Sequence, residues 1–367
     1  MKDYWVEKYQ DYQDGRPFRG RALFGTAANL ASVVYRAGYA LQRRIVRWQW
    51  WGGYRARGRV IGVGNLTVGG SGKTSLVDYL ASRLIDSGKQ VTILTRGYGR
   101  QSTARVVIAP GEAGRQEVWR TGDEPLMLAS RNPQATVIID ANRAAAARDY
   151  ENQAAPDVFL LDDALQYHQL AYDCRIMTLL DGEIQPPYRL FPAGRWREPP
   201  SRVKDVDAIV VVIRRQEQNI QADEDQLRKL GFTGPIFPFA YELISWCGLD
   251  GQPAGLPSIP EERAIGVFCA LAQPQRFLDW LVDRGIAIDQ VRRFADHHPY
   301  RQEDLNELCA WARAKSLNHL VTTEKDAVKL SRFPAGDTRI IFPRVRLIPC
   351  GGAEEFDRFV QRIVGHG

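Results

Sequence analysis

Cysteine is scarce in this sequence of 367 residues: Cys174, Cys247, Cys269, Cys309 and Cys350 are odd in number, widely spaced, and include no C-x-x-C. That excludes a disulfide scaffold and a zinc ribbon, and it fits reduced thiols in a cytosolic setting. Histidine is as sparse, five residues with no H-E-x-x-H, which removes a helix-borne zinc site. Internal repeats and low-complexity tracts are missing too, so neither a solenoid nor a disordered chain is expected. Acidic residues vanish between Arg16 and Arg59, where ten arginines stand. What is present is ordinary for a soluble protein: 44% hydrophobic and 25% charged residues, in a chain long enough for two domains or three.

The net charge of +6 is unevenly placed. Met1 to Val60 holds 12 Lys/Arg against 4 Asp/Glu, and the other 307 residues hold 37 against 39. The basic excess therefore belongs to the first sixth of the chain, together with Trp5, Trp48, Trp50 and Trp51. A near-neutral remainder does not favour nucleic-acid binding.

Within the basic run, residues 22–41 (ALFGTAANLASVVYRAGYAL) are mostly apolar and about 20 long, enough to cross a bilayer. Asn29, Arg36 and several small polar residues make them a poor span, and no clean cleavage site follows. Leu23, Ala27, Leu30, Val34, Tyr35, Leu41 and Ile45 recur at helical spacing. Arginines then alternate with Trp and Tyr through residue 59, a pattern suited to anionic headgroups. A helix lying in the membrane interface is the expectation. A helix packed on the protein's own core and a transmembrane helix are the alternatives.

The chemistry begins at Arg59–Gly64, a short buried strand by composition, followed by NLTVGGSGKT and a helical pattern over 75–87. Strand, glycine-rich turn, Gly-Lys-Thr and helix form a phosphate-binding loop. Backbone N–H groups cradle phosphate oxygens, Lys73 reaches the β- and γ-phosphates, and the Thr74 hydroxyl ligates Mg²⁺. The usual first glycine is replaced by Thr67, and Gly69 and Gly70 are expected to supply the lost freedom. Such a protein also needs a carboxylate at the end of a second buried strand. Val158-Phe159-Leu160-Leu161-Asp162-Asp163 provides it, although an acidic turn after a strand would read alike.

Two further segments carry titratable groups. Thr121-Gly122-Asp123-Glu124-Pro125 resembles a helix start with Asp123 at the N-cap, or else presents a carboxylate as general base. Asp296-His297-His298-Pro299 follows an apolar strand, where a histidine is either catalytic or structural. Thr323-Glu324-Lys325-Asp326 is open in the same way, between a helix cap and a functional role.

Runs rich in Val and Ile at 91–94, 135–140, 158–162, 175–181 and 208–213 alternate with helical patterns, as do segments from 261 onward. That alternation indicates α/β folding with a parallel sheet. The expected fold is a P-loop NTPase-type domain over 58–240 and a smaller α/β domain over 261–367. An amphipathic membrane-associated segment over 1–57 precedes them, and a Gly/Pro-rich linker or hairpin lies within 241–260.

Taken in order, VGNLTVGGSGKTS (63–75), LTRGYGR (94–100), GDEP (122–125), NRAAAA (142–147), LLDDALQ (160–166), FPAGRWREP (191–199), RFADHHPY (293–300) and LVTTEKDAVKL (320–330) resemble the tetraacyldisaccharide 4′-kinases of lipid A biosynthesis. The resemblance implies ATP-dependent, Mg²⁺-assisted phosphorylation of the 4′-hydroxyl of a tetraacylated glucosamine disaccharide 1-phosphate, giving lipid IVA. It implies a peripheral enzyme on the cytoplasmic face of the inner membrane; no obligate protein partner is expected. By the same resemblance Gly69, Gly70, Ser71, Gly72, Lys73, Thr74 and Ser75 hold the phosphates. Thr74, Asp162 and Asp163 hold the metal, Asp123 is the base, and His297 pairs with it. Glu124 and Gln166 line the site, and Arg197 and Glu198 lie near the nucleotide. Closure of a cleft between domains is expected to bring Asp123 and His297 together.

Departures from the family pattern are Ala164, Leu165 and Tyr167 after the aspartate pair, with His168 one place late, and Arg195-Trp196 before Arg-Glu-Pro. They flank the assigned residues without replacing one. The competing readings are a membrane-tethered ATPase or GTPase switch without a lipid acceptor, and a nucleotide-binding relative that has lost kinase activity. No N-K-x-D base-reading motif supports a GTPase.

Overall fold

The computed structural model describes residues 21–49, 53–214, 218–254, 264–334 and 338–365. In chain order come α1 (Arg21–Gln49), β1 (Arg59–Gly64), α2 (Lys73–Asp86), β2 (Val91–Thr95), β3 (Val106–Ile108), α3 (Asp123–Arg131) and β4 (Thr136–Ile139). Next are α4 (Arg143–Glu151), β5 (Val158–Leu161), β6 (Cys174–Leu180), β7 (Ala208–Ile213), α5 (Gln221–Lys229) and β8 (Ile236–Gly248). The chain finishes with β9 (Ile265–Cys269), α6 (Pro274–Val282), β10 (Gln290–Arg293), α7 (Gln302–Ala314), β11 (His319–Val321), α8 (Glu324–Leu330), β12 (Ile340–Pro349) and α9 (Ala353–Val364).

The chain divides into two compact units, each assembled from separate stretches. The first comprises Met1–Lys73, Ala147–Phe239 and Pro349–Gly367, and the second Thr74–Ala146 and Ala240–Ile348.

In the first unit, β1 lies between β5 and β6, and β7 continues beyond β6, all parallel. Every residue of β5 and β7 is buried, which is why these strands are continuous apolar runs without alternation. The register pairs Gly62 with Leu161, so the chain leaves β1 and β5 at the same sheet edge. The phosphate loop and the Asp162-Asp163 pair are therefore neighbours by topology, at the carboxyl ends of parallel strands where α/β proteins bind ligands. Gly64 permits that closeness: a Cβ there would stand 2.6 Å from the Leu165 side chain and 2.7 Å from its backbone nitrogen.

Helix α1 belongs to the first unit and packs through Gly25, Ala28, Ser32, Tyr35 and Tyr39. The Ser32 hydroxyl donates to the Leu190 carbonyl, and Tyr35 stacks edge-on against Phe191. A second apolar stripe, Leu23, Leu30, Val33, Val34 and Leu41, is exposed, at 62–79% of the fully accessible area. Side chains of Arg43, Arg44, Ile45, Arg47 and Trp48 lie outside the described set, as do Trp5, Trp50, Trp51 and residues 1–20. Among the described residues no helix is long and apolar enough to cross a membrane.

In the second unit β2 and β4 are parallel and β3 is antiparallel to β4, a reversal at the edge that the sequence pattern does not show. The other strands order as β10-β9-β11-β12, all parallel. Helix α7 closes one face, burying Leu305, Leu308 and Cys309 with Phe268, Tyr300 and Leu320. Past β8, the chain turns back through Gln252 and Ala254, which pair with Gly248 and Trp246, while 255–263 are outside the described residues. All five cysteines are free thiols.

Candidate active site

In the first unit the loop after β1 turns on Gly69 and Gly72, with φ of 116° and 84°, values that a side chain strongly disfavours. Gly69 supplies the expected freedom that Thr67 does not, whereas Gly70 has no positive φ and Gly72 takes the second such position. Thr67 is buried, accepts from the Asn65 amide at 3.3 Å, and bridges to Trp196. Lys73 opens α2 and donates to Asn65 Oδ1 at 3.1 Å, with Asp163 Oδ1 at 3.6 Å. Ser71 is tied to Thr178 on β6 at 2.9 Å.

Residues 195–198 run beside this loop. Val68 N–H donates to the Arg195 carbonyl, and Arg197 N–H to the Leu66 carbonyl, both at 2.7 Å. Arg195-Trp196 thus serves as a brace, with Trp196 buried. Gln166 donates to the Asn65 carbonyl at 2.9 Å and to Glu198 Oε1 at 2.7 Å. Glu198 also receives Arg202 Nε at 3.0 Å and the Tyr39 hydroxyl of α1 at 2.6 Å, while Tyr35 donates to the Arg197 carbonyl. Ala164 and Leu165 are buried, and Ala164 N–H bonds the Val63 carbonyl at 2.9 Å, so these departures pack under the loop.

Asp162 is buried and accepts from the Asp163 N–H at 3.0 Å. Asp163 has a left-handed φ of 52° and faces Lys73 and, at 3.5 Å, Arg197. Among the described residues no group of three or more His, Cys, Asp or Glu could hold a metal. Two neighbouring carboxylates do suit Mg²⁺, which takes few protein oxygens and completes its shell with phosphate and water. The donor set therefore fits the ion.

The second unit opens with Thr74, whose hydroxyl donates to Glu124 Oε2 at 3.5 Å, and Ser75, whose hydroxyl meets that of Tyr241 at 3.0 Å. Asp123 is the first residue of α3. Gly122, at φ 87°, holds the N-cap position, so the expectation of Asp123 as N-cap is corrected. The left-handed glycine turns the chain into the helix, and Asp123 Oδ1 accepts from the Glu124 N–H at 2.9 Å. Its other oxygen meets His297: Nδ1 to Oδ2 is 3.0 Å, across 174 residues of sequence.

Both partners lie in the same compact unit, so their contact does not depend on closure between domains. His297 has a left-handed φ of 59°, uncommon without glycine, and the Tyr98 ring stands edge-on at 5.2 Å. Strain of that kind gathers at functional sites.

Charges surround the pair. Lys325 Nζ is 3.0 Å from His297 Nε2, 3.5 Å from Glu124, 3.6 Å from Asp296 and 4.0 Å from Asp123. Lys329 Nζ is 3.7 Å from Asp123 and 2.9 Å from Asp326. Burial alone would raise the Asp123 carboxyl, but the His297 hydrogen bond and the two lysines outweigh it and hold it below the usual range. Burial pulls His297 down, yet Asp123 and Asp296 prevail and raise it. Lys325 is likewise pulled down by burial and raised on balance by Glu124, Asp123 and Asp296.

Sequence reasoning missed Asn65 and Tyr39, and left open the segment that bears Lys325 and Lys329. The cap at Thr323 is real, its hydroxyl accepting from the Asp326 N–H, but the same short helix also delivers both lysines. Only the lysine spacing, four apart on one helix face, hinted at this.

The family model described as Tetraacyldisaccharide-1-P 4′-kinase matches residues 26–364. A tetraacyldisaccharide 4′-kinase of Chlorobium luteolum is 33% identical over 75% of this chain and 78% of its own. That of Syntrophotalea carbinolica is 32% identical over 84% and 81%. Among solved structures, "apo" form LpxK from Aquifex aeolicus, in complex with ATP, superposes with a TM-score of 0.73 at 26% identity, covering 93% of this chain and 99% of that one.

Proposed function

Since the chain belongs to the tetraacyldisaccharide-1-P 4′-kinase family, we propose that it transfers the γ-phosphoryl group of ATP to the 4′-hydroxyl of a tetraacylated glucosamine disaccharide 1-phosphate, giving lipid IVA. The hydroxyl oxygen bonds to the γ-phosphorus, the bond to the β–γ bridging oxygen breaks, and ADP departs. The hydroxyl proton passes to Asp123. Backbone N–H groups of residues 69–75 and the Lys73 ammonium grip the phosphates, which is where a phosphoryl-transfer enzyme spends most of its effort. Thr74, Asp162 and Asp163 would hold Mg²⁺, whose charge offsets that on the phosphate oxygens. Gln166, Arg197 and Glu198 brace the loop that carries Lys73, and Glu124 lines the acceptor side.

The observation that carries this reading over a nucleotide switch is the buried Asp123–His297 pair, a carboxylate oriented and kept ionised near neutral pH. A switch needs at most a group that orients one water, not an ionised carboxylate held by an imidazole and two lysines. The sequence division gives nucleotide handling to residues 58–240 and the histidine to 261–367, joined through 241–260. Residues 1–57 serve as the membrane element, with the exposed stripe of α1 lying in the cytoplasmic surface of the inner membrane, where the acyl-anchored acceptor resides.

Incubation with labelled ATP, Mg²⁺ and a tetraacyldisaccharide 1-phosphate in detergent should place the label in lipid. Hydrolysis of ATP at the same rate with or without the lipid, and no labelled lipid, would overturn the proposal in favour of the switch.

A further inference from the structure

The lysine of Thr323-Glu324-Lys325-Asp326 has no part in the chemistry above, yet it touches the ring that orients the base. An ammonium group has donors only, so at 3.0 Å from His297 Nε2 it can bond only to a bare nitrogen. A neutral imidazole with bare Nε2 carries its hydrogen on Nδ1, which is the nitrogen 3.0 Å from Asp123. The two contacts on opposite sides of the ring are therefore compatible with one tautomer.

We propose that Lys325 is a positioning residue of the reaction: it caps His297 Nε2, fixes the tautomer that donates Nδ1–H to Asp123, and so leaves the carboxylate as the proton acceptor. This rests on the kinase reading and deepens it. In hydrolase triads the same carboxylate–imidazole arrangement leaves Nε2 open, and that nitrogen is the base. Here a cation occupies the place. A proton arriving on Nε2 would set two positive groups face to face at hydrogen-bond distance; a proton arriving on Asp123 avoids that encounter and gives up only the attraction of His297 and the two lysines.

The surroundings keep Lys325 charged and in place. Glu124 on α3, Asp296 beside the histidine, and Asp123 itself all face it within 4.0 Å, and Asp326 lies on its own helix. His297 faces Asp123, Asp296 at 4.0 Å, Lys325 and the Tyr98 ring. Lys329 faces Asp123 and Asp326 and does not replace Lys325 at the ring. Helix α8 fixes the lysine's origin, because Thr323 caps it and Asp326 bonds the Ala270 N–H at 2.9 Å.

The test joins ring-nitrogen NMR with kinetics on the full chain. In ¹⁵N-histidine protein, with the His297 signal assigned by its loss in His297→Gln, the wild type above the ring's titration should show protonated Nδ1 and bare Nε2. Lys325→Met should give mixed tautomers and a ring that titrates at higher pH, since a neighbouring cation has been removed. Its kcat should fall about 100-fold with KM for ATP within about threefold, and Lys325→Arg should recover at least about tenfold of that loss. A wild-type ring with protonated Nε2 overturns the proposal without any mutant. So does a kcat for Lys325→Met within about threefold of wild type. Should the Met variant fail to fold, Lys325→Gln carries the rate comparison. A wild type that moves no label to lipid defeats the kinase reading instead, and the ring measurement needs no acceptor.

Discussion

A double-mutant cycle on Asp123 and His297 puts the proposed mechanism at greatest risk. The two side chains share a 3.0 Å contact, with side-chain exposures of 4% and 18%, so solvent cannot replace the lost partner. A hydrogen bond to a charged group contributes about 1.5–3 kcal/mol. At about 1.36 kcal/mol per decade of rate, removing the ring in His297→Ala should slow turnover by about 10- to 150-fold. Removing the proposed base in Asp123→Asn should cost about 10²- to 10⁴-fold.

The imidazole is taken to act only through the carboxylate. The double variant should therefore be no slower than Asp123→Asn, instead of slower by the product of the two factors. The assay is transfer of labelled phosphate to the lipid acceptor in mixed micelles, with ATP affinity measured separately to show that nucleotide still binds. If the two losses multiply, the residues act independently and the pairing is structural. If Asp123→Asn retains turnover within about threefold of wild type, the base is elsewhere.

Other consequences can be measured without turnover. Arg131 donates to Asp78 at 2.7 Å and through Nε to Glu324 at 3.0 Å, and these carboxylates are 1% and 9% exposed. Arg131→Met removes the cation the two share and leaves Glu324 with Arg344 at 3.7 Å, so denaturant unfolding should show a loss of about 3 kcal/mol, and a loss under about 1 kcal/mol would contradict the buried network. Leu30→Glu with Val34→Glu places two charges on the exposed stripe of α1. Cosedimentation with anionic vesicles should fall at least about tenfold, with the melting temperature unchanged; equal vesicle binding would remove the stripe from the membrane.

The pH dependence of stability has a definite sign. His297 is raised above 6.5, so its contribution is complete below 6.5 and is lost as pH climbs through the raised value. Asp123 is lowered below 3.8, so its contribution is complete above 3.8 and is lost as pH falls through the lowered value. The stability difference between wild type and His297→Gln should thus be larger at about pH 5.5 than at about pH 8.5. A difference that grows with pH would refute this assignment.

Much of the site could be read from neighbouring residues. A strand of buried Val and Ile, a turn with glycines, Lys73-Thr74 and an apolar helix face form a local grammar, as does Leu160-Leu161-Asp162-Asp163. Each piece depends on residues within a turn or two, where backbone sterics and hydrophobic periodicity act directly. The strand ranges followed for the same reason. The short β3 escaped because three residues pairing antiparallel at an edge leave almost no periodic signal.

Resemblance to a family supplied the Asp123–His297 pairing, but not the lysine on the far side of the ring. Lys325 looked like part of a capped helix, because a lysine's spacing to its own helix neighbours is local while its partners at 123, 124, 296 and 297 are not. In the same way Tyr39 read as one more aromatic in a basic apolar run, and it is the hydroxyl that holds Glu198.

By itself the sequence determined the phosphate loop, the α/β alternation and the place of the basic surplus, since these are written in adjacent residues. Only the tertiary structure decided which face of α1 is packed and which is bare, and which cation meets which ring nitrogen. Those depend on strand register and on helices delivered from distant parts of the chain, and no local pattern encodes them.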